Sequence, residues 1–308
     1  MEFMTLNLNI FPRFFREKAG RVLKVLRRTK RKIAGDRYNM ERHQHKIIRS
    51  TRNYDMSASL DEHYYQEQYW HWIEKYLNSG KLSKNGRYLD LGCGQGRLSI
   101  LLAKWCTTGG KVIGVDFSKE AIGRARRYTD EASLHNIDYY TADILSFLKE
   151  NDDNSFDGVL LLEVIFYLPN YHLVLEEVKR VLKPGGLLFA SFRSQYFNIL
   201  YNINKRNWND INTVFKNRIG RLGDGDVYFT WQTSDEIAYI IGKELKFKVL
   251  DLCGIGCCSG IEGDPHACIA KPACLNKDKR DVLMKLEIDL ANAVPDAGRY
   301  ILCTAQKK

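Results

Sequence analysis

Ten residues, Tyr88-Leu-Asp-Leu-Gly-Cys-Gly-Gln-Gly-Arg97, carry the residue types best suited to chemistry in this chain. An apolar run ends in a carboxylate, Asp90, and glycines follow at Gly92, Gly94 and Gly96, with Cys93 between the first two. From Leu98 onward Leu98, Leu101, Leu102 and Trp105 recur three or four apart, the period of a helix. A strand, a glycine turn and a helix start make a site for a polar, nucleotide-like ligand. Glycine lets the backbone come close where a side chain would collide, and the first helical turn offers N–H groups without intrahelical acceptors. Two phosphate sites are excluded. The dinucleotide fingerprint G-x-G-x-x-G wants glycine where this chain has Arg97, and no G-x-x-x-x-G-K-[ST] occurs.

Further acids close later apolar runs. Lys111-Val-Ile-Gly-Val-Asp116 ends in an acid that can accept from both hydroxyls of a ribose, and Phe117 offers a flat face to an adenine ring. Thr141-Ala-Asp143-Ile144 puts another carboxylate where it can accept from an adenine amino group. Ser155-Phe-Asp-Gly-Val-Leu-Leu-Leu-Glu163 and Val181-Leu-Lys-Pro-Gly-Gly186 follow.

The elements that must position these residues alternate strand and helix, which implies a mainly parallel sheet covered on both faces. Strands are expected at about 87–91, 111–116, 137–142, 156–162, 186–192, 246–252 and 299–305, seven in all. Helices fit 61–77, 96–106, 118–133, 171–182 and 233–244, with Pro184-Gly185-Gly186 as a turn before the fifth strand. Residues 194–232 interrupt the alternation with Tyr196, Phe197, Tyr201, Trp208, Phe215, Tyr228, Phe229 and Trp231, which suits either a lid over an acceptor or a satellite core. The expected organisation is an arm and linker over 1–60 and one domain over 61–308.

In this order and spacing the fragments resemble class I S-adenosylmethionine-dependent methyltransferases, over about 87–193 and more loosely to 306. The resemblance implies a doubly wound, Rossmann-like α/β fold with a mainly parallel seven-stranded sheet. It implies S-adenosylmethionine as cofactor, with Gly92, Cys93, Gly94 and Gly96 passing its methionine part and Asp90 ordering that end. By the same matching Asp116 and Phe117 take the ribose and adenine faces, while Asp143 and the Ile144 N–H take the adenine edge.

Methyl transfer from a sulfonium is an in-line displacement whose leaving group is already installed. The protein's task is to align acceptor, methyl and sulfur with water excluded, and a base is needed only if the acceptor must lose a proton. After the fourth strand the chain reads Leu162-Glu163-Val-Ile-Phe166-Tyr167-Leu-Pro169. Ubiquinone-biosynthesis O-methyltransferases carry Glu-x-x-Glu-His here; Glu163 matches the first acid, and Phe166 and Tyr167 replace the Glu-His pair. That departure removes a candidate base and a metal pair. No Asn/Asp-Pro-Pro-Tyr box marks an amide or adenine amine as acceptor. The catalytic candidates are Glu163, Tyr167 and Arg193, the arginine being able to pair with a carboxylate or phosphate. Tyr167 reads equally as packing, and Arg193 as a solvated strand-end charge.

Cys253, Cys257, Cys258, Cys268 and Cys274 lie close in sequence, with His266 among them, but only one knuckle spacing occurs, so no metal is expected. Eight cysteines, a start without a secretory pattern and no apolar run long enough to span a bilayer suggest a cytoplasmic protein.

Charge is concentrated at one end. Residues 1–53 hold 15 Lys+Arg against 4 Asp+Glu, so the remainder holds 32 basic and 33 acidic residues. Within the arm, residues 11–34 read as a basic amphipathic helix with Phe11, Phe15, Val22 and Leu26 on its apolar face. An anionic membrane surface is the preferred partner, ahead of a targeting presequence, against which Glu2, Glu17 and a serine-free start count, and of RNA, for which the neutral body continues no basic track; a solvated charged helix is the remaining alternative. The expected function is methyl transfer to a small-molecule acceptor, with an RNA methyltransferase and a catalytically silent cofactor-binding partner as alternatives.

Overall fold

The apolar runs and amphipathic segments assemble into one sheet with helices on both faces. The fold is described from a computed structural model over residues 46–47, 59–107, 109–221 and 227–308. The helix expected over 11–34, and nearly all of the linker after it, lie outside the described residues.

The strands are β1 (Arg87–Leu91), β2 (Lys111–Asp116), β3 (Ile137–Thr141), β4 (Phe156–Leu161), β5 (Leu182–Arg193), β8 (Lys248–Ile255) and β9 (Tyr300–Gln306), in the order β3-β2-β1-β4-β5-β9-β8. β3, β2, β1, β4 and β5 run parallel, and β9 runs antiparallel to both of its neighbours. A separate two-stranded hairpin, β6 (Ile219–Arg221) and β7 (Tyr228–Thr230), sits in the aromatic insertion. The expected doubly wound, mainly parallel seven-stranded α/β fold is the one observed.

Two cores cover the two faces. On one, α1 (Leu60–Leu77), α2 (Arg97–Trp105), α3 (Lys119–Glu131) and α9 (Lys277–Ala291) pack through Tyr69, Ile73, Leu102, Ala125 and Leu283. On the other, α4 (Ile144–Lys149), α5 (Tyr171–Val181) and α8 (Ser234–Tyr239) contribute Phe147, Leu175, Val178 and Ile237. Strands buried on both faces read as continuous apolar runs, which is why they were legible.

The structure corrects the expected boundaries in several places. Pro184-Gly185-Gly186 is not a turn before the fifth strand: β5 already pairs at Leu182 with Phe156, and the ladder slips by a bulge before resuming at Leu187 opposite Gly158. Gly185 takes φ +80° there, a conformation that costs glycine little. The helix expected to 244 changes after Tyr239 into a π-helical turn over Ile240–Glu244. Outside the insertion two helices were not anticipated: α4, capped by Asp143, and α9, capped by Asn276. The insertion folds as α6 (Gln195–Asn204), α7 (Trp208–Lys216) and the hairpin. Its Trp231 is fully buried, with the indole N–H donating to Val214 O and Asn217 O at 2.9 Å each.

Because β1 to β5 are parallel, their carboxyl ends open on one edge of the sheet. Open parallel sheets bind ligands at that edge.

Candidate active site

The glycine turn and the second strand are stitched together by backbone groups. Gly92 N and Cys93 N both donate to Val115 O, at 2.7 and 3.0 Å. Gly94 N donates to Asp116 Oδ2 at 3.0 Å, and Ser118 N to Asp116 Oδ1 at 2.8 Å. Each carboxylate oxygen keeps a further lone pair. Burial pushes the Asp116 pKa up, and the Ser118 and Gly94 N–H groups oppose it.

The three glycines serve different ends. All have positive φ, at +72°, +53° and +83° for Gly92, Gly94 and Gly96. A Cβ on Gly92 would lie 2.1 Å from Val164 Cγ2, and one on Gly96 would lie 2.6 Å from the Tyr139 hydroxyl. These two let the protein close on itself. Only Gly94 faces open space, with nothing within 4 Å of its would-be Cβ. A bare backbone facing open space beside a buried acid fits the cofactor that the resemblance implies. Cys93 turns its side chain into the core, where burial raises the thiol pKa well above its ordinary value, so its backbone is the part at the site.

Asp90 is buried, 4% exposed, and accepts from Ser99 Oγ of α2 at 2.5 Å. Burial pushes its pKa up to about 6; the Asp116 charge adds to the rise and the Ser99 bond opposes it. Asp143 is the N-cap of α4, its Oδ1 accepting from Ser146 N at 3.0 Å and from Ser146 Oγ at 3.2 Å. Ile144 is the first residue of that helix, where a backbone N–H has no intrahelical acceptor. Phe117 is half-buried between β2 and α3. All nine residues nominated for the cofactor therefore lie at the carboxyl ends of β1, β2 and β3.

Glu163 lies two residues past the end of β4 at φ +56°, its N–H donating to Ser191 Oγ at 2.7 Å. Its carboxylate is already engaged, with Oε1 accepting from Arg97 Nη2 at 3.0 Å. The other arm of the guanidinium, Nη1, donates to Glu62 Oε2 at 2.9 Å and to Glu62 O at 3.2 Å. Burial raises the Glu62 pKa and Glu163 adds to it, while Arg97 opposes. Sequence reasoning missed this triad, although its signal was present: Arg97 is the residue that breaks the dinucleotide fingerprint. Nothing in the sequence pointed to Glu62.

Tyr167 ends a short 3₁₀ turn, Ile165–Tyr167, that leads directly from Val164, the residue against Gly92. Its ring lies 4.3 Å from that of Phe166 and 5.5 Å from Phe229 of β7. Phe166 in turn lies 5.6 Å from Tyr300 at the start of β9. Burial raises the Tyr167 phenol pKa, and Arg193 and Arg299 oppose the rise. Arg193 is not a solvated strand-end charge. It stands opposite Tyr300 in the ladder, with its guanidinium 4.7 Å from the Phe197 ring centroid. Tyr167 and Arg193 thus share one aromatic wall beside the glycine turn, completed by Phe197 and Phe229 from the insertion, while Glu163 turns to Arg97.

Among the described residues no three His, Cys, Asp or Glu side chains gather as a metal would require. The cysteine region is organised instead by a buried acid, Glu287 of α9. It accepts from Cys257 N at 2.7 Å, Cys258 N at 3.2 Å and Ser259 Oγ at 2.5 Å.

Residues 82–240 match the family described as a methyltransferase domain. Demethylmenaquinone methyltransferase of Staphylococcus saprophyticus is 33% identical over 129 residues, 42% of this chain and 54% of the relative. That of Staphylococcus carnosus is 32% identical over 152 residues, 49% of this chain and 60% of the relative. The chain thus spans little more than half the length of the curated relatives it matches. Among solved structures, a SAM-dependent methyltransferase from Methanosarcina mazei superposes with a TM-score of 0.52 at 20% identity, covering 76% of this chain and 96% of that one. A putative S-adenosylmethionine-dependent methyltransferase from Listeria monocytogenes gives 0.51 at 20% identity, over 79% and 99%. With the family matched over more than half of its residues, this chain belongs to the methyltransferase-domain family, in the class I fold that S-adenosylmethionine-dependent methyltransferases share.

Proposed function

We propose that the chain transfers a methyl group from S-adenosylmethionine to a small, planar, ring-bearing acceptor. The observation that carries this reading is the aromatic wall of Phe166, Tyr167, Phe229 and Tyr300 built directly onto the glycine turn through the Gly92–Val164 contact. A bound S-adenosylmethionine supplies an activated methyl group on a sulfonium. Asp116 orients the ribose, Asp143 and the Ile144 N–H take adenine, and Gly94 lets the methionine part run against the backbone. The wall orients an acceptor ring by stacking and keeps water out, which is most of what an in-line displacement asks of its protein. Glu163 holds Arg97 in place rather than taking a proton, since its carboxylate is already bonded to that guanidinium. The demethylmenaquinone naming of the relatives supports a ring-bearing small molecule over RNA.

A membrane surface belongs to this reading as a second element. No helix among the described residues is long and apolar enough to cross a membrane. The insertion, however, exposes Tyr196 and Ile203 seven apart on α6, and Trp208 and Phe215 seven apart on α7. Lys205, Arg206 and Lys216 are exposed beside them. Aromatic residues flanked by cations suit an anionic lipid interface, and this face adds to the basic arm proposed to lie there.

The test is calorimetric binding of S-adenosylhomocysteine, followed by transfer of isotopically labelled methyl into small-molecule and RNA extracts. Label appearing only in RNA would overturn the reading.

A further inference from the structure

Three guanidinium groups surround the aromatic wall, and two of them have carboxylate partners. Arg97 is held by Glu62 and Glu163, and Arg299 Nη1 donates to Asp264 Oδ2 at 2.7 Å. Arg193 has no carboxylate within ion-pair distance among the described residues. Its polar contacts are two long ones, Nε to Asn198 Oδ1 and Nη1 to the Tyr300 hydroxyl, both at 3.4 Å. Otherwise it lies against rings, with centroids at 4.7 Å for Phe197, 5.4 Å for Tyr300 and 5.6 Å for Phe166.

Two buried donors near Arg193 lack partners, as does the acceptor Gln232 Oε1 on the residue whose N–H donates to Arg193 O. Asn198 is 1% exposed, yet its Nδ2 donates to nothing, and Arg299 Nε is likewise buried without an acceptor. Both atoms can only donate. Arg299 lies against the same two rings as Arg193, 5.2 Å from Tyr300 and 5.8 Å from Phe197. Beside Phe197, α6 buries two amides, Asn198 and Asn202, while Tyr196 and Ile203 are exposed. Buried donors left unpaired are costly and call for an explanation. Arg193 thus lies beside two unpaired buried donors and has no carboxylate of its own among the described residues.

We infer that Arg193, assisted by the Asn198 amide, binds a carboxylate on the methyl acceptor, so that the acceptor is a planar acid. The inference rests on the aromatic wall being the acceptor site. A guanidinium is suited to this task because its fork matches both carboxylate oxygens, while the rings beside it take the planar part. Arg193 is then a specificity-determining residue, and Glu163, already paired, does not compete for it.

The experiment uses full-length protein saturated with S-adenosylhomocysteine and two matched probes, 2-naphthoate and its neutral isostere 2-naphthamide, titrated by calorimetry at pH 7. The naphthoate is expected to bind at least tenfold more tightly than the amide. Arg193→Gln should make the two equal, Arg193→Lys should keep part of the difference, and S-adenosylhomocysteine affinity should not change. Asn198→Asp, which gives the guanidinium an internal carboxylate, should abolish the preference by a second route. Equal binding of both probes to the unmodified protein overturns the acid inference and leaves the acceptor site standing. Failure of both to bind, with S-adenosylhomocysteine still bound, overturns the acceptor site itself.

Discussion

Arg97 Nη2 lies 3.0 Å from Glu163 Oε1, which ties the first residue of α2 to the loop that leaves β4. The same guanidinium reaches Glu62 of α1, so one side chain joins three elements around the glycine turn. Removing it leaves two carboxylates facing each other in a poorly solvated place. Breaking a buried ion pair by deleting one partner costs about 3–5 kcal/mol, and the partial exposure of Glu163 puts Arg97→Met at the lower end. Urea unfolding at pH 7 should show a loss of about 3 kcal/mol. Glu62 already has a raised pKa, so it protonates more readily in the folded variant than when unfolded. The deficit should therefore shrink as pH falls towards 4.5 and return as pH rises; a deficit constant across that range would rule out carboxylate repulsion.

Asp90 gives the fold a second dependence on pH. Its folded pKa of about 6 stands above the unfolded carboxylate value. The stability it contributes is thus complete below the unfolded pKa and is lost as pH rises through about 6. Two pKa units correspond to about 3 kcal/mol. In the cofactor-free protein, Asp90→Asn should flatten the stability profile between pH 4 and pH 7 by roughly that amount. An unaltered profile, followed by chemical denaturation, would remove Asp90 as its source.

Gly92 and Gly94 should respond differently to the same methyl group. Gly92→Ala meets Val164 at 2.1 Å as well as an unfavourable φ of +72°, and overpacking of this kind costs about 1–3 kcal/mol beyond the backbone strain. Gly94→Ala has only the strain, about 1–2 kcal/mol. The expected outcome is a markedly lowered melting temperature for Gly92→Ala. Gly94→Ala should stay folded but lose affinity for S-adenosylhomocysteine. Equal melting temperatures and equal affinities would show that the two glycines share one role.

Asp116→Ala should weaken S-adenosylmethionine binding by about 1–3 kcal/mol, the scale for leaving buried polar groups unpaired. It also frees Gly94 N and Ser118 N, so Asp116→Asn, which keeps an acceptor oxygen, should recover part of the loss. Calorimetric affinity unchanged in both variants would remove Asp116 from the site.

On vesicles carrying anionic lipid, the Trp208 and Phe215 face should add an apolar contribution that salt does not screen. The double substitution Trp208→Ser and Phe215→Ser should leave low-salt sedimentation partly intact and reduce what survives at high salt. Both side chains are exposed, at 63% and 68%, so the melting temperature should hardly move. Unchanged high-salt sedimentation would free that face from any membrane role.

What the sequence by itself determined is the framework. Strands buried on both faces leave unbroken apolar runs, and each run ending in Asp90, Asp116 or Glu163 marked where the chain leaves the carboxyl edge of the sheet. The glycine turn at Gly92, Gly94 and Gly96 was legible because glycine is the residue that lets a backbone come close where a side chain would collide. Only the tertiary structure decided which of those glycines faces open space, since that depends on Val164 and Tyr139, residues distant in sequence. It also decided that Arg97 engages Glu163 across 66 positions, and that Arg193 stands against Tyr300 across 107. Such pairings leave no periodicity or spacing in the chain. They arise when β9 inserts beside β5 and α1 settles on the glycine turn, because long-range contacts are set by how elements pack and not by any local pattern.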